Sequence, residues 1–178
     1  MRYDGMLGFL TEENLRLHLS YLEDLKLKYS ILIKSCPQIG GKNISELYKI
    51  RVKNDIRHEA LALLSEIEAH ELYFSSFSEK ITECKAIRDY YSSEEAFKYE
   101  IFEAAINSKD SFLFVCLDVR GKPNIVCGKE SFDLFYTYKP VLAIDMCEHS
   151  YFYDYAFERD EYLRRSITHL NLSRVIKP

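Results

Sequence analysis

From Thr11 to about Ile33 leucines return at three- and four-residue steps, at Leu15, Leu19, Leu22 and Leu25. That period belongs to a helix with one apolar stripe and argues against a strand, whose side chains alternate every two residues. Thr11 followed by Glu12 and Glu13 supplies an N-cap with acidic residues in the first turn. Cys36-Pro37-Gln38-Ile39-Gly40-Gly41 breaks the pattern and predicts a turn. Asn43-Ile44-Ser45-Glu46 then sets a capping residue three positions before a glutamate, opening a second helix. Its course is expected to be interrupted near Asn54-Asp55 and to resume through Ala60 to Phe77. Two long helices with a short connection pack most simply as an antiparallel hairpin.

The second half mixes element types. Ser92 with Glu95 predicts a capping box for a helix through Phe97 and Phe102 to about Ile106. Phe112 to Val119 is rich in aromatic and β-branched residues and predicts a strand. Arg120-Gly121-Lys122-Pro123 turns it into a second strand, Asn124 to Cys127. Val141-Leu142-Ala143-Ile144 is a third, fully apolar and therefore buried. Helix follows from about Glu148 through Tyr155 and again from Asp160 to Leu170. The expected fold class is α+β. An N-terminal antiparallel helical hairpin, residues 1–78, precedes a small α/β lobe, residues 79–178, with a three-stranded antiparallel sheet. No internal repeat is present.

Composition narrows the function classes. The 178 residues are 47% apolar and 29% charged, which argues against disorder and provides for a sizeable core. The net charge is −4 with no local basic patch, which speaks against nucleic-acid binding. No apolar run approaches the length of a membrane span, and Met1-Arg2-Tyr3-Asp4-Gly5 does not begin a secretory leader. The expectation is a soluble cytoplasmic protein with no membrane partner. Five cysteines, Cys36, Cys84, Cys116, Cys127 and Cys147, are an odd count without a C-x-x-C pair, so neither a disulfide framework nor a zinc knuckle is expected.

Three of the five histidines keep unusual company. His18 lies on the leucine face of the first helix, between Leu15 and Leu22. His70 lies on the apolar face of the second, between Ile67 and Phe74. Each taken alone reads as a core histidine satisfied by one hydrogen bond. Two antiparallel helices with one inward histidine each are also a common way to present a metal. Asp145-Met146-Cys147-Glu148-His149 adds a carboxylate directly after a buried strand and an imidazole four residues on. A buried unpaired carboxylate is costly, so Asp145 needs a cation or several donors. Three imidazoles and a carboxylate suit Fe or Mn and can bind Zn.

At these residues the chain resembles the iron/manganese superoxide dismutases. Asp145 to Phe152 resembles that family's Asp-x-Trp-Glu-His-Ala-Tyr-Tyr segment, which supplies two ligands. Ala69-His70-Glu71-Leu72-Tyr73-Phe74 resembles its Asn-His-x-x-Tyr/Phe-Trp helix, and Leu7 to His18 the approach to its first ligand. Tyr91 to Phe97, Phe112 to Val126 and Arg159 to Leu163 follow its later helix, hairpin and closing helix. The likeness runs from about residue 7 to 174. It implies one Fe or Mn ion per chain on His18, His70, Asp145 and His149, superoxide as substrate, and a homodimer. The family fold agrees with the α+β reading.

The surroundings of those ligands depart from the family. Family members usually carry a histidine four residues and a tyrosine eight residues after the first ligand; here these are Leu22 and Lys26. Tyr29 is too far along the helix to substitute, since eleven residues rise about 16 Å. Tyr21 is near enough to fill part of the channel. Ser131 is closest to the place of the glutamine that meets the bound solvent, and Leu63-Leu64-Ser65-Glu66 offers no glutamine at the family's other site. Phe112, Phe114, Phe74 and Cys147 stand where tryptophans wall the family site. The tyrosine that reaches across the dimer is Phe152, and the histidine it would meet is Leu22, so both partners are apolar. The bridging glutamate is retained as Glu148, where a solvated charge at a helix start is the alternative reading.

The resemblance implies a dismutase of reduced efficiency, with Lys26 attracting the anion. The alternatives are a metal-binding family member without useful dismutase activity, in a redox or structural role, and a structural or partner-binding descendant. Packing in place of tryptophan is the expected role of Cys147.

Overall fold

The structure, a computed structural model, describes residues 3–79, 84–129 and 132–175. After a 3₁₀ turn at Asp4–Met6, helix α1 spans Glu12–Ser35 and a second 3₁₀ turn, Pro37–Ile39, reverses the chain. Thr11 caps α1 as its sequence predicts, its hydroxyl accepting the Asn14 N–H at 3.2 Å. Helix α2, Ile44–Lys49, begins with both halves of the Asn43/Glu46 capping box and lasts six residues. The chain then runs extended to Lys53, with Ile50 and Val52 packed on a small core, before α3 spans Asn54–Ser75. The expected interruption is therefore a break between two helices. Helices α1 and α3 pack as the antiparallel pair: His18 meets His70 near one end, and Leu32 clusters with Ala60 and Leu61 towards the other.

The lobe begins with two helices, α4 (Lys85–Arg88) and α5 (Glu94–Asn107). Ser93, not Ser92, caps α5, its side chain accepting the Ala96 N–H at 3.0 Å. Strand β1 (Phe112–Leu117) pairs antiparallel with β2 (Pro123–Gly128) on one side. Helix α6 (Phe132–Thr137) leads into β3 (Lys139–Asp145), antiparallel on the other side of β1. The sheet order is thus β2-β1-β3. The first strand ends two residues earlier than its composition predicts, because Val119 already lies exposed in the turn. Helices α7 (Glu148–Tyr155) and α8 (Arg159–Thr168) close the lobe. The helices α4 and α6 were not anticipated.

Every residue of central strand β1 is buried, as its unbroken apolar run requires. The main core runs from Met6, Leu15 and Leu22 of the hairpin side through Phe112–Leu117 to Tyr162 and Val175. Several polar links tie the halves together. The buried Ser76 hydroxyl at the end of α3 accepts the Ala143 N–H of β3 at 2.8 Å. The Asp154 carboxylate of α7 accepts from the Thr11 N–H (2.8 Å), the Thr11 hydroxyl (2.6 Å) and the Asn14 amide (3.1 Å), holding the start of α1. All five cysteines are free. No helix among the described residues is long and apolar enough to cross a membrane.

Candidate metal centre

Four elements converge on one point. His18 projects from α1 and His70 from α3, while Asp145 ends β3 and His149 lies in the first turn of α7. One ligand atom from each lies within 4.8 Å of all the others. The Asp145 Oδ2 atom sits 3.1 Å from His18 Nε2, 3.4 Å from His70 Nε2 and 2.9 Å from His149 Nε2. His70 Nε2 and His149 Nε2 are themselves 3.4 Å apart. Three ring nitrogens therefore crowd one carboxylate oxygen.

The backbone fixes these side chains. The Asp145 Oδ1 atom accepts the Cys147 N–H at 2.9 Å, turning Oδ2 towards the histidines. The Asp145 carbonyl accepts from Tyr162 Oη at 2.7 Å and Ser150 Oγ at 3.1 Å. Tyr162 in turn meets Tyr73 Oη at 3.1 Å. His70 Nδ1–H donates to the Glu66 carbonyl at 2.8 Å, which leaves Nε2 of the neutral ring bare and facing inward. His18 has no aligned hydrogen bond at either ring nitrogen although it is buried, so its nearness to Asp145 is an approach without donation.

That combination is unfavourable without a cation. Asp145 is fully buried, and bare nitrogens and a carboxylate oxygen pointing at one spot repel one another unless protons or a metal ion lie between them. Orphaned His18 and the His3Asp donor set are both what a metal ion of intermediate hardness requires, so the residues present fit Fe or Mn. The electrostatics agree. Burial drives the Asp145 carboxyl up, yet His149, His18 and His70 outweigh it and hold it well below the ordinary carboxylate range. Burial pushes His18 down, with Asp145 only partly opposing. Burial also disfavours a charged His70, but Asp145 and the Glu66 carbonyl reverse the balance and raise it.

Aromatic rings wall the centre. Phe74 lies 4.8 Å and Tyr73 5.1 Å from the His18 ring, and Phe112 lies 5.3 Å from the His70 ring, centroid to centroid. Cys147 is half-buried, its thiol 3.8 Å from the Ser111 carbonyl. Leu22, Lys26 and Phe74 line one cleft together with Glu23 and Glu71. There the Lys26 ammonium is 3.1 Å from Glu71 and 3.3 Å from Glu23, so two carboxylates surround the cation. Glu148 is exposed and Phe152 half-exposed on α7, with Phe152 against the exposed Phe157 ring at 5.5 Å. Ser131 lies outside the described residues.

Two contacts escaped the sequence reading. The Tyr73–Tyr162 chain behind Asp145 joins residues 89 apart, and only the placement of Tyr73 one turn after His70 hinted at it. Tyr21 donates to Glu66 Oε1 at 2.5 Å, and its ring stacks on His149.

Residues 78–177 match the family model for iron/manganese superoxide dismutases, C-terminal domain. No curated protein matches the chain. The match spans more than half of the sequence, and the chain belongs to the iron/manganese superoxide dismutase family.

Proposed function

We propose that this member of the iron/manganese superoxide dismutases holds one Fe or Mn ion on His18, His70, Asp145 and His149 and converts superoxide to oxygen and hydrogen peroxide. The observation that carries the reading is the convergence of three Nε2 atoms on the buried Asp145 Oδ2. A bound ion of this kind supplies the one-electron oxidation and reduction by which two superoxide anions and two protons become one dioxygen and one hydrogen peroxide. The protein's part is positioning and exclusion. Asp145 is aimed by the Cys147 N–H and by Tyr162, and His70 is oriented by the Glu66 carbonyl. Phe74 and Tyr73 against His18, and Phe112 against His70, keep bulk water from those two imidazoles. Tyr73 holds its phenolic proton firmly, since burial and then Tyr162 and Asp145 all raise its pKa.

Lys26 is a weak anion attractor in this reading, because Glu23 and Glu71 leave the trio net negative. Buried, apolar Leu22 and the ion-paired Lys26 stand in that cleft in place of the family's imidazole and phenol, and the phenol that does line it, Tyr3, packs against Phe74, so turnover is expected to be slow. The same observation favours a second reading, a metal-binding family member that does not dismutate usefully. A superoxide decay assay on metal-loaded protein, with Asp145→Asn as control, separates the two. Decay faster than both the control and the free ion supports the dismutase; metal-loaded protein no faster than the control supports the second reading.

A further inference from the structure

Between Lys49 and His58 four cations stand against one carboxylate, Asp55, in a chain whose net charge is −4. Apolar residues interleave the cations, so the patch does not stand out in the sequence; the fold separates the two sets. Ile50 and Val52 pack inward on the small core, whereas Lys49, Arg51 and Lys53 are exposed. Residues two apart on an extended chain share a side at a spacing of about 6.6 Å, so three cations stand in a row. Arg57 follows in the first turn of α3, where Asn54 Oδ1, 2.7 Å away, steadies its guanidinium without cancelling the charge. Glu46 and Asp55, which flank the row in the chain, are engaged at helix starts. Glu46 Oε2 accepts the Asn43 N–H at 3.0 Å, and Asp55 Oδ1 accepts the Ile56 N–H at 2.9 Å. Next to the row lies a cleft of about 500 Å³ lined by Tyr48, Arg57, His58 and Leu61. Tyr48 meets Tyr136 of α6 at 5.4 Å between ring centroids, and both residues are about half exposed.

We propose that this surface binds single-stranded nucleic acid, with Lys49, Arg51, Lys53 and Arg57 on the phosphates and a base laid against Tyr48 and Tyr136. A single strand offers both things the surface is built for, a run of negative charges and unpaired bases whose faces stack on aromatic rings. An anionic lipid surface or an acidic peptide would use the cations and leave the two rings idle. The acidic net charge speaks against nucleic acid for the molecule as a whole, and the patch is confined to one end of the hairpin. That end is remote from the metal centre, since Arg57 precedes His70 by thirteen residues, about 20 Å along α3. Helix α7, which carries Glu148 and Phe152, is tied by Asp154 to the start of α1, whereas the row packs on the cluster that includes Leu32 near the other end. A homodimer formed through α7 therefore leaves the patch accessible. The inference is independent of the metal reading, because the two sites share no residue.

The test follows the fluorescence anisotropy of a labelled uridine RNA of about 12 nucleotides, and of its thymidine DNA counterpart, as full-length protein is added in about 50 mM salt. Binding should weaken as salt rises, with a log–log slope of about −3, four cations contributing about −0.7 each. Replacing the row together, Lys49→Gln with Arg51→Gln and Lys53→Gln, should bring the slope to about −1 and lower the affinity at least about 10-fold. Tyr48→Ala should weaken binding about 5- to 100-fold and leave the slope unchanged. Tyr136→Ala should act in the same direction, and it decides should Tyr48→Ala not fold. No binding to either oligonucleotide, or equal binding by wild type and the triple variant, overturns the proposal. Inorganic polyphosphate binding as tightly as the RNA, with no loss in either tyrosine variant, shows a surface for anions of any kind and overturns it too. Binding confined to phosphatidylserine vesicles does the same. Metal per chain should be equal in wild type and all variants, which keeps the outcome separate from that of the metal reading.

Discussion

The hairpin and the lobe contribute two proposed ligands each, and they hold them by different means. His18 and His70 stand on helix faces, so their aim depends on how α1 packs against α3, on the rings of Phe74, Tyr73 and Phe112 and, for His70, on the Glu66 carbonyl within its own helix. Asp145 stands at the end of a paired strand, with backbone and side-chain hydrogen bonds fixing both its carboxylate and its carbonyl. His149 follows one turn into α7, so strand end and helix start carry the lobe's pair together. The family match lies over the lobe, residues 78–177. Both halves carry departures, the hairpin at Leu22, Lys26 and Phe74 and the lobe at Phe112, Cys147 and Phe152. A paired strand end fixes a carboxylate through its own hydrogen bonds, whereas an imidazole on a helix face takes its position from the packing of two helices.

The sharpest way to break that comparison is at Asp145. Asp145→Asn removes the charge that three imidazoles surround, and metal affinity should fall by more than the about 10- to 100-fold that losing an outer group costs. Titration calorimetry with Mn(II) measures it, and an affinity near wild type would mean that the strand-end carboxylate is not the keystone. Tyr162→Phe comes next. It deletes the donor to the Asp145 carbonyl and the partner of Tyr73, both buried, and should cost about 1–3 kcal/mol in urea unfolding with a smaller loss of metal affinity.

Asp154→Ala sharpens the contrast from the other side. It strips the carboxylate that holds Thr11 and Asn14 and should cost about 1 kcal/mol of stability. Metal affinity should be unchanged, because the start of α1 lies nearly two turns from His18; a loss as large as that of Tyr162→Phe would show that the hairpin ligand needs its helix start fixed. Lys26→Ala should do least. Its ion pairs with Glu23 and Glu71 are partly exposed, and exposed pairs contribute less than about 1 kcal/mol, measurable as a small shift in the urea midpoint that fades with salt.

Much of this was legible in the chain because it is local. Leucine spacing placed α1, Thr11 and Asn43 placed two helix starts, and the apolar runs placed all three strands. The four proposed ligands were legible because each stands in a short context with a chemical oddity, an imidazole on an apolar stripe or a carboxylate after a buried strand. What stayed hidden is what depends on approach between distant elements. Ser92 has the glutamate three residues on that a capping box needs, yet it is Ser93 whose side chain caps α5. Lys26 reads as a lone cation until α3 brings Glu71 across to it. Glu66 reads as a missing glutamine, and its use emerges only when Tyr21, 45 residues earlier, lies against it.

The most direct measurement is metal per chain by elemental analysis of untagged protein purified without chelator. The account predicts close to one equivalent of Fe or Mn, lost in Asp145→Asn. A folded wild type that carries neither metal, and that takes up neither on reconstitution, would contradict it.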